Sequence, residues 1–286
     1  MHCRKLRNLL EAPGIIRAVG CGNPWEAKLI EKAGFPAVYL SGAQVSRMTL
    51  GRPDIGLTTM TEMALAAKNI SLSTSLPVIA DADNGYGGIL NVVRTVEEYE
   101  RAGVAAIQLE DQVFPKRCGH MDGKEVITRE EMVYRIRAAV DARKNPDFVI
   151  IARTDARAVN GFDDALERAN AYAEAGADVI FFEAPQSVEE MQALNKAISL
   201  PTLANMVEKG KTPFLRGAEL EAMGYKIVIY PGSCNMAATY AALELLESLK
   251  THDTTEQFRD RMLDFVTMNQ IAKLAEERAR EKTYIY

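Results

Sequence analysis

The chain has 286 residues, 48% hydrophobic and 26% charged, with 34 Lys and Arg against 39 Asp and Glu for a net charge of −5; this globular balance lacks the sustained basic footprint of a nucleic-acid binder. No apolar run approaches the roughly 20 residues that span a membrane, and the basic start, residues 1–8, has no apolar stretch behind it to make a secretory signal. Four cysteines, Cys3, Cys21, Cys118 and Cys234, are too sparse for a disulfide scaffold and lack metal-finger spacing, so the expectation is a cytoplasmic protein with reduced thiols, bound to neither nucleic acid nor membrane.

From Ile15 onward, short apolar runs alternate with longer amphipathic ones. Residues 15–20 predict a first strand, and Pro24 suits the first turn of the helix after it. Residues 37–41 predict a second strand, leading through a loop at 52–56 to a helix beginning near Thr61. The third strand is 77–81 and the fourth 104–109, followed by a long polar loop. Thr128 with Glu131 caps a helix running to about Lys144. Residues 148–153, 177–183, 200–205 and 226–230 complete eight strands. Strand–helix alternation argues for a parallel sheet with right-handed crossovers, and eight repeats close a (β/α)8 barrel. An open, doubly wound sheet competes with it. The barrel is preferred because polar groups end nearly every strand, as a ring of site residues requires: Ser41, Asp81, Glu110, Arg153, Glu183, Asn205 and Tyr230. The reading is one barrel domain over 1–286. Residues 247–286 form a C-terminal helical extension, helical from Thr255 to about Lys282, whose apolar positions suggest an oligomer contact.

Asp81 and Asp83 flank one alanine at the end of the third strand, where alternate side chains reach the same side. Glu110 on the next strand and Asp54 from the preceding loop can complete an oxygen-only set suited to Mg²⁺, with Mn²⁺ as a substitute. Asp83 and Asn84 are also ordinary turn formers. Arg153 offers a planar fork for a substrate carboxylate, or an ion pair with Glu183 or Asp155. Asn205, Ser41, Gly42 and Ala43 add neutral donors. In the long loop, Lys116, Arg117 and His120 surround Cys118 and favour its thiolate. Tyr39 reads more readily as barrel packing than as a base.

Residues 116–120 (Lys-Arg-Cys-Gly-His), with Asp81-Ala-Asp83 and Tyr39-Leu-Ser-Gly42, resemble the isocitrate lyase/phosphoenolpyruvate mutase superfamily, and its lyase branch in particular. The likeness runs from about Leu6 to the final helices. It implies a Mg²⁺-dependent barrel whose last helix swaps between partners, commonly in a homotetramer. Asp81 would touch the metal, with Asp54, Asp83 and Glu110 holding its waters. Cys118 would be the general acid on a closing loop, with Lys116 and His120 beside it, and Ser41, Gly42, Ala43, Arg153, Glu183, Asn205 and Pro231 would line the substrate. The implied reaction cleaves a substituted 2-hydroxy di- or tricarboxylate, of 2,3-dimethylmalate or 2-methylisocitrate type, to a 2-oxo acid such as pyruvate and a second carboxylate. Tyr39 or a water on the metal would take the hydroxyl proton. A carboxyphosphonoenolpyruvate phosphonomutase and a non-catalytic dicarboxylate-binding barrel are the alternatives. Ala43-Gln44 replaces the glycine run expected for methylisocitrate lyases, which bears on the distal carboxylate pocket.

Overall fold

A computed structural model describes residues 2–119, 121 and 123–284. Its strands are short apolar runs buried on both faces, as parallel strands covered by helices must be. They are β1 (Ile16–Cys21), β2 (Ala37–Leu40), β3 (Val78–Asp81), β4 (Ala106–Glu110), β5 (Val149–Thr154), β6 (Val179–Phe182), β7 (Thr202–Asn205) and β8 (Ile227–Tyr230). All pair in parallel and in sequence order around a closed barrel, β8 returning to β1 with Ile229 opposite Ala18. The barrel expected from the sequence is therefore present.

Alternation along each strand divides the core in two. Ile16, Ala18, Tyr39, Ile79, Ala106, Ile151, Phe181, Leu203 and Ile229 belong to the cluster inside the barrel. Val19, Leu40, Ala80, Ile107, Ala152, Ile180 and Val228 face outward under the helices. Continuing the inward set by steps of two brings Ser41, Asp81, Glu110, Arg153, Glu183 and Asn205 to the inner face at the C-terminal end.

The other end of the barrel is closed by a helix that the sequence reading missed, His2–Glu11. Leu6 is fully buried in the interior cluster, with Leu9 and Leu10 packed beside it. Burying one leucine in this way stabilises by roughly 1.5–3 kcal/mol. Arg7 fixes the helix from outside, pairing with Asp178 at 2.8 Å.

Helix starts follow local capping chemistry. Asn23 accepts from Glu26 N ahead of Pro24–Lys32, Thr59 and Glu62 form a capping box at Met60–Ser73, and Thr128 accepts from Glu131 N at Arg129–Ala142. After β8, the helix Ser233–His252 buries none of its side chains. The single helical stretch expected from Thr255 to Lys282 is instead broken into Glu256–Arg261, Phe265–Ile271 and Leu274–Lys282. Asp264 starts a new helix by accepting from Thr267 N, and Lys273 interrupts the run in a left-handed conformation. Among the described residues no helix is long and apolar enough to cross a membrane.

Candidate active site

The C-terminal mouth of the barrel opens into a cavity of ≈ 110 Å³. Its walls include Tyr39, Ser41, Ala43, Asp54, Asp81, Glu110, Lys116, Cys118, Arg153, Glu183, Asn205 and Pro231, all singled out in the sequence. His120 lies outside the described residues.

Carboxylates crowd one side. Asp54, Asp81, Asp83 and Glu110 are all buried. The Lys116 ammonium lies among them, 2.6 Å from Asp54 Oδ1 and 2.8 Å from Asp83 Oδ1. Lys116 thus turns toward the acids of the barrel mouth rather than standing simply as a cation beside the thiol. Burial lowers its pKa, but Asp83, Asp81 and Asp54 outweigh that and hold it well above the usual lysine value. One ammonium does not neutralise this cluster. Burial raises the Asp83 carboxyl to about 7, with Asp81 and Asp54 adding to the shift and Lys116 offsetting part of it. Glu110 is pushed up by burial more than Arg153 brings it down, and its Oε1 is buried with no hydrogen-bond partner among the described residues. The donors are all oxygens, but among the described residues no three His, Cys, Asp or Glu groups stand together as a ready ligand set. Gly42 lets the backbone approach: its N–H donates to Asp81 Oδ2 at 3.3 Å, and a Cβ there would lie 2.8 Å from the same oxygen.

Arg153 faces this cluster. Asp155 holds it with two bonds, Nε to Oδ2 at 2.8 Å and Nη2 to Oδ1 at 3.0 Å, and the guanidinium lies 5.0 Å from the Phe181 ring centroid. Glu110 and Glu183 are farther, at 3.5 and 3.9 Å. Both ion pairs named from the sequence therefore form, and Asp155 is the tighter. Burial pushes the Asp155 carboxyl up, but Arg153 and Lys124 more than reverse this and leave it lowered to about 2. Asn205 Nδ2 donates to both Glu183 oxygens at 3.2 and 3.3 Å, while its Oδ1 has no partner among the described residues.

Behind the strands lies a support that sequence reasoning missed. Asp111 follows the inward Glu110 and so faces outward, under the helix Phe162–Glu174. It accepts from Thr154 Oγ1 and Tyr172 OH, each at 2.8 Å, and from the Asp155 N–H at 2.8 Å. Arg168 stands 3.4 Å from it. Strand parity was the available signal, together with Arg168 and Tyr172 one helical turn apart. Arg117, named from the sequence beside Cys118, lines the cavity too, and Arg47, Val207, Glu208, Ile229, Gly232 and Met236 do so without having been anticipated.

Tyr39 is buried and its hydroxyl donates to Gln108 Oε1 at 3.2 Å. Burial holds its phenol well above the usual range. Cys118 lines the cavity on its loop, half-buried. The next residue, Gly119, sits so close to the site that a Cβ would fall 2.3 Å from Glu183 Oε1 and 2.4 Å from Arg153 Nη2.

Among characterised proteins, the chain is 52% identical over 280 residues to the 2,3-dimethylmalate lyase of Eubacterium barkeri, covering 98% of this chain and 97% of that one. It is 48% identical over 257 residues to the 2-methylisocitrate lyase of Aeropyrum pernix, covering 90% and 82%. Solved structures with the same fold include a 2,3-dimethylmalate lyase (TM-score 0.94, 38% identity, 100% and 96% covered) and an oxaloacetate acetylhydrolase with 3,3-difluorooxalacetate (0.95, 35%, 99% and 97%). A phosphonopyruvate hydrolase complexed with oxalate and Mg²⁺ matches at TM-score 0.90 and 30% identity over 100% of both chains. The family model described as phosphoenolpyruvate phosphomutase matches residues 6–250, and the chain belongs to this family.

Proposed function

We propose that this protein is a carbon–carbon lyase that splits a substituted 2-hydroxy di- or tricarboxylate into a 2-oxo acid and a second carboxylate. The observation that carries the reading is the cavity itself: a thiol on a loop, a buried guanidinium and an under-neutralised carboxylate cluster share one small space at the barrel mouth. The relatives named as 2,3-dimethylmalate and 2-methylisocitrate lyases support a substrate of one of these two types.

The carboxylate cluster fits Mg²⁺. Its donors are oxygen only, burial and the neighbouring Asp81 and Asp54 raise the Asp83 carboxyl to about 7, and Glu110 keeps a buried oxygen with no hydrogen-bond partner among the described residues. Asp81, Asp54, Asp83 and Glu110 would hold the ion, all four being buried at the barrel mouth. When bound, Mg²⁺ stabilises the negative charge that develops on the acid's oxygens.

Arg153, aimed by Asp155, takes the carboxylate beside the hydroxyl-bearing carbon. Ser41, Gly42, Ala43, Glu183, Asn205 and Pro231 complete the substrate walls. Loss of the hydroxyl proton to a water held at the carboxylate side of the cavity lets the C2–C3 bond break, so that one fragment becomes the 2-oxo acid. The other fragment leaves with the electron pair as an enediolate, and the Cys118 thiol delivers a proton to its carbon. Tyr39, pushed up by burial, keeps its proton at neutral pH. The loop over the mouth excludes water while the carbanionic fragment exists.

A second copy of this chain is the proposed partner. Met236, Tyr240, Leu243 and Leu246 follow one another along the helix Ser233–His252 and are all exposed, with Leu263, Phe265 and Val266 exposed beyond it. A helix after the eighth strand that leaves this apolar face exposed, with no fully buried residue, is suited to pack on a neighbour, as in a swapped tetramer.

The test supplies purified protein and Mg²⁺ with racemic 2,3-dimethylmalate, 2-methylisocitrate and a phosphonate control, and follows 2-oxo acid release by a coupled lactate dehydrogenase assay. Cleavage of one hydroxy acid, lost with excess chelator and in Asp81→Ala, is expected. Failure to release a 2-oxo acid from every hydroxy acid would refute the lyase reading.

A further inference from the structure

The loop carrying Cys118 is rooted where its ends meet. Gln112 bridges to Val126, Val113 N donates to Glu125 O at 2.9 Å, and the Gln112 side chain exchanges two 2.9 Å bonds with the Arg117 backbone. Nearer the tip, Lys124 turns its side chain inward until it is 1% exposed. Its ammonium donates to the Gly119 carbonyl, next to Cys118, and to Asp155 Oδ1 at 2.9 Å. The same Asp155 carboxylate holds Arg153 by its two bonds. Gly119 in turn lies against Arg153 and Glu183 with no room for a side chain.

One buried ammonium therefore joins the backbone beside the thiol to the carboxylate that aims the guanidinium. Burying a lysine is costly, and an ion pair with Asp155 alone would be weak reason to retain it. The bond to Gly119 gives the burial a second consequence, because it ties a mobile kind of element, a long polar loop, to a rigid strand end. If the loop lifts, Lys124 leaves Asp155, and Arg153 loses one of the charges that balance its partner.

We propose that Lys124 is a positioning residue that latches the thiol loop over the site, so that Cys118 is presented to the cavity only while Arg153 is correctly aimed. The inference rests on the roles given above to Cys118 and Arg153. Substrate bound by Arg153 then favours the latched loop, and the latched loop favours binding at Arg153, because both act through one carboxylate.

The test compares wild type with Lys124→Met and Lys124→Arg as full-length protein. Alkylation of Cys118 by iodoacetamide is timed by peptide mass spectrometry, with and without Mg²⁺ and pyruvate, beside a thermal melt. An unlatched loop exposes the thiol, so Lys124→Met is expected to react at least about fivefold faster at Cys118. Its kcat for 2-oxo acid release should fall by at least about tenfold while KM moves less than about threefold, and Lys124→Arg should recover most of both signals. Alkylation within about twofold of wild type in Lys124→Met overturns the proposal, as does faster alkylation with unchanged kcat. If Lys124→Met does not fold, Lys124→Gln replaces it. Failure of both to fold would make Lys124 a residue of stability alone and would also overturn the latch. Alkylation needs no turnover, so a wild type that cleaves no tested acid removes the proposed function and still leaves the latch measurable.

Discussion

Replacing Arg153 with lysine keeps the charge and removes the fork, which isolates what the fork contributes. In the native site two nitrogens are committed to Asp155, at 2.8 and 3.0 Å, and the plane lies 5.0 Å from the Phe181 ring centroid. The remaining nitrogen, Nη1, has among the described residues only a long contact, 3.5 Å to Glu110. A lysine ammonium can meet Asp155 or the substrate carboxylate, but not both with two bonds each. A hydrogen bond to a charged group is worth about 1.5–3 kcal/mol, and loss of the ring contact adds about 0.5–1 kcal/mol. The loss of transition-state stabilisation should then be roughly 2–4 kcal/mol, or about 30- to 900-fold in kcat/KM. Much of it should fall in KM, because the carboxylate is held before and during bond cleavage. The fold should survive, since the charge that balances Asp155 and Glu183 is retained. The assay is kcat and KM for 2-oxo acid release in both proteins, with pyruvate binding by calorimetry and a circular dichroism melt. If Arg153→Lys stays within about threefold of wild type in kcat/KM, the guanidinium balances buried charge and does not grip the acid.

Cys118→Ser keeps the size of the donor but raises its pKa by several units, so kcat should fall about 10²- to 10⁴-fold with little change in KM; turnover within about twofold of wild type would remove the thiol from the mechanism. Truncation at Asp253, deleting 254–286, should lower the number of subunits per particle or cause aggregation, as read by light scattering, because it uncovers or removes the apolar faces around Leu263 and Phe265; an unchanged number of subunits would separate the tail from assembly. Asp155 has a carboxyl lowered to about 2, so the stability it contributes is full above the ordinary aspartate range near pH 4 and is lost as pH falls through about 2. Urea unfolding at pH 6 and pH 3 should therefore separate wild type from Asp155→Asn by a difference that shrinks by about 1 kcal/mol at the lower pH, and a constant difference would contradict the ion-pair origin of the shift.

How far the sequence reached depends on what kind of information each element carries. The eight strands announced themselves because a parallel barrel buries both faces, so each strand is a short uninterrupted apolar run, found within two residues of its observed ends. The ring of polar residues was also readable, since Ser41, Asp81, Glu110, Arg153, Glu183 and Asn205 each interrupt such a run at its end. The helix His2–Glu11 was not, because a short basic segment with Leu6, Leu9 and Leu10 on one side has a purpose only once there is an open barrel end to close. The tail was read as one helix because composition registers helix formers more readily than a single left-handed residue such as Lys273.

The site residues that escaped share one property: their chemistry is set by the partner and not by the residue. Asp111 and Glu110 are adjacent carboxylates at the end of one strand, yet Glu110 faces the cavity and Asp111 faces Thr154, Tyr172 and Arg168 behind it. Only the strand parity distinguishes them, and parity is fixed by which face closes the barrel. Lys116 and Lys124 sit on either side of the same thiol; Lys116 reads as a local cation that would favour its anion, and Lys124 carries no such signal. In three dimensions each meets a carboxylate: Lys116 reaches into the Asp54–Asp83 cluster, and Lys124 reaches Asp155. Two loop lysines thus divide their charge between two different strand ends, β3 and β5. It follows that opening this loop would withdraw positive charge from the Asp54–Asp83 side and the guanidinium side of the cavity together, leaving the carboxylates of both less balanced than when it is shut. That imbalance favours the loop's return whenever no cation or acid has taken the lysines' place, and it makes the loop part of the electrostatics of the site and not merely its cover.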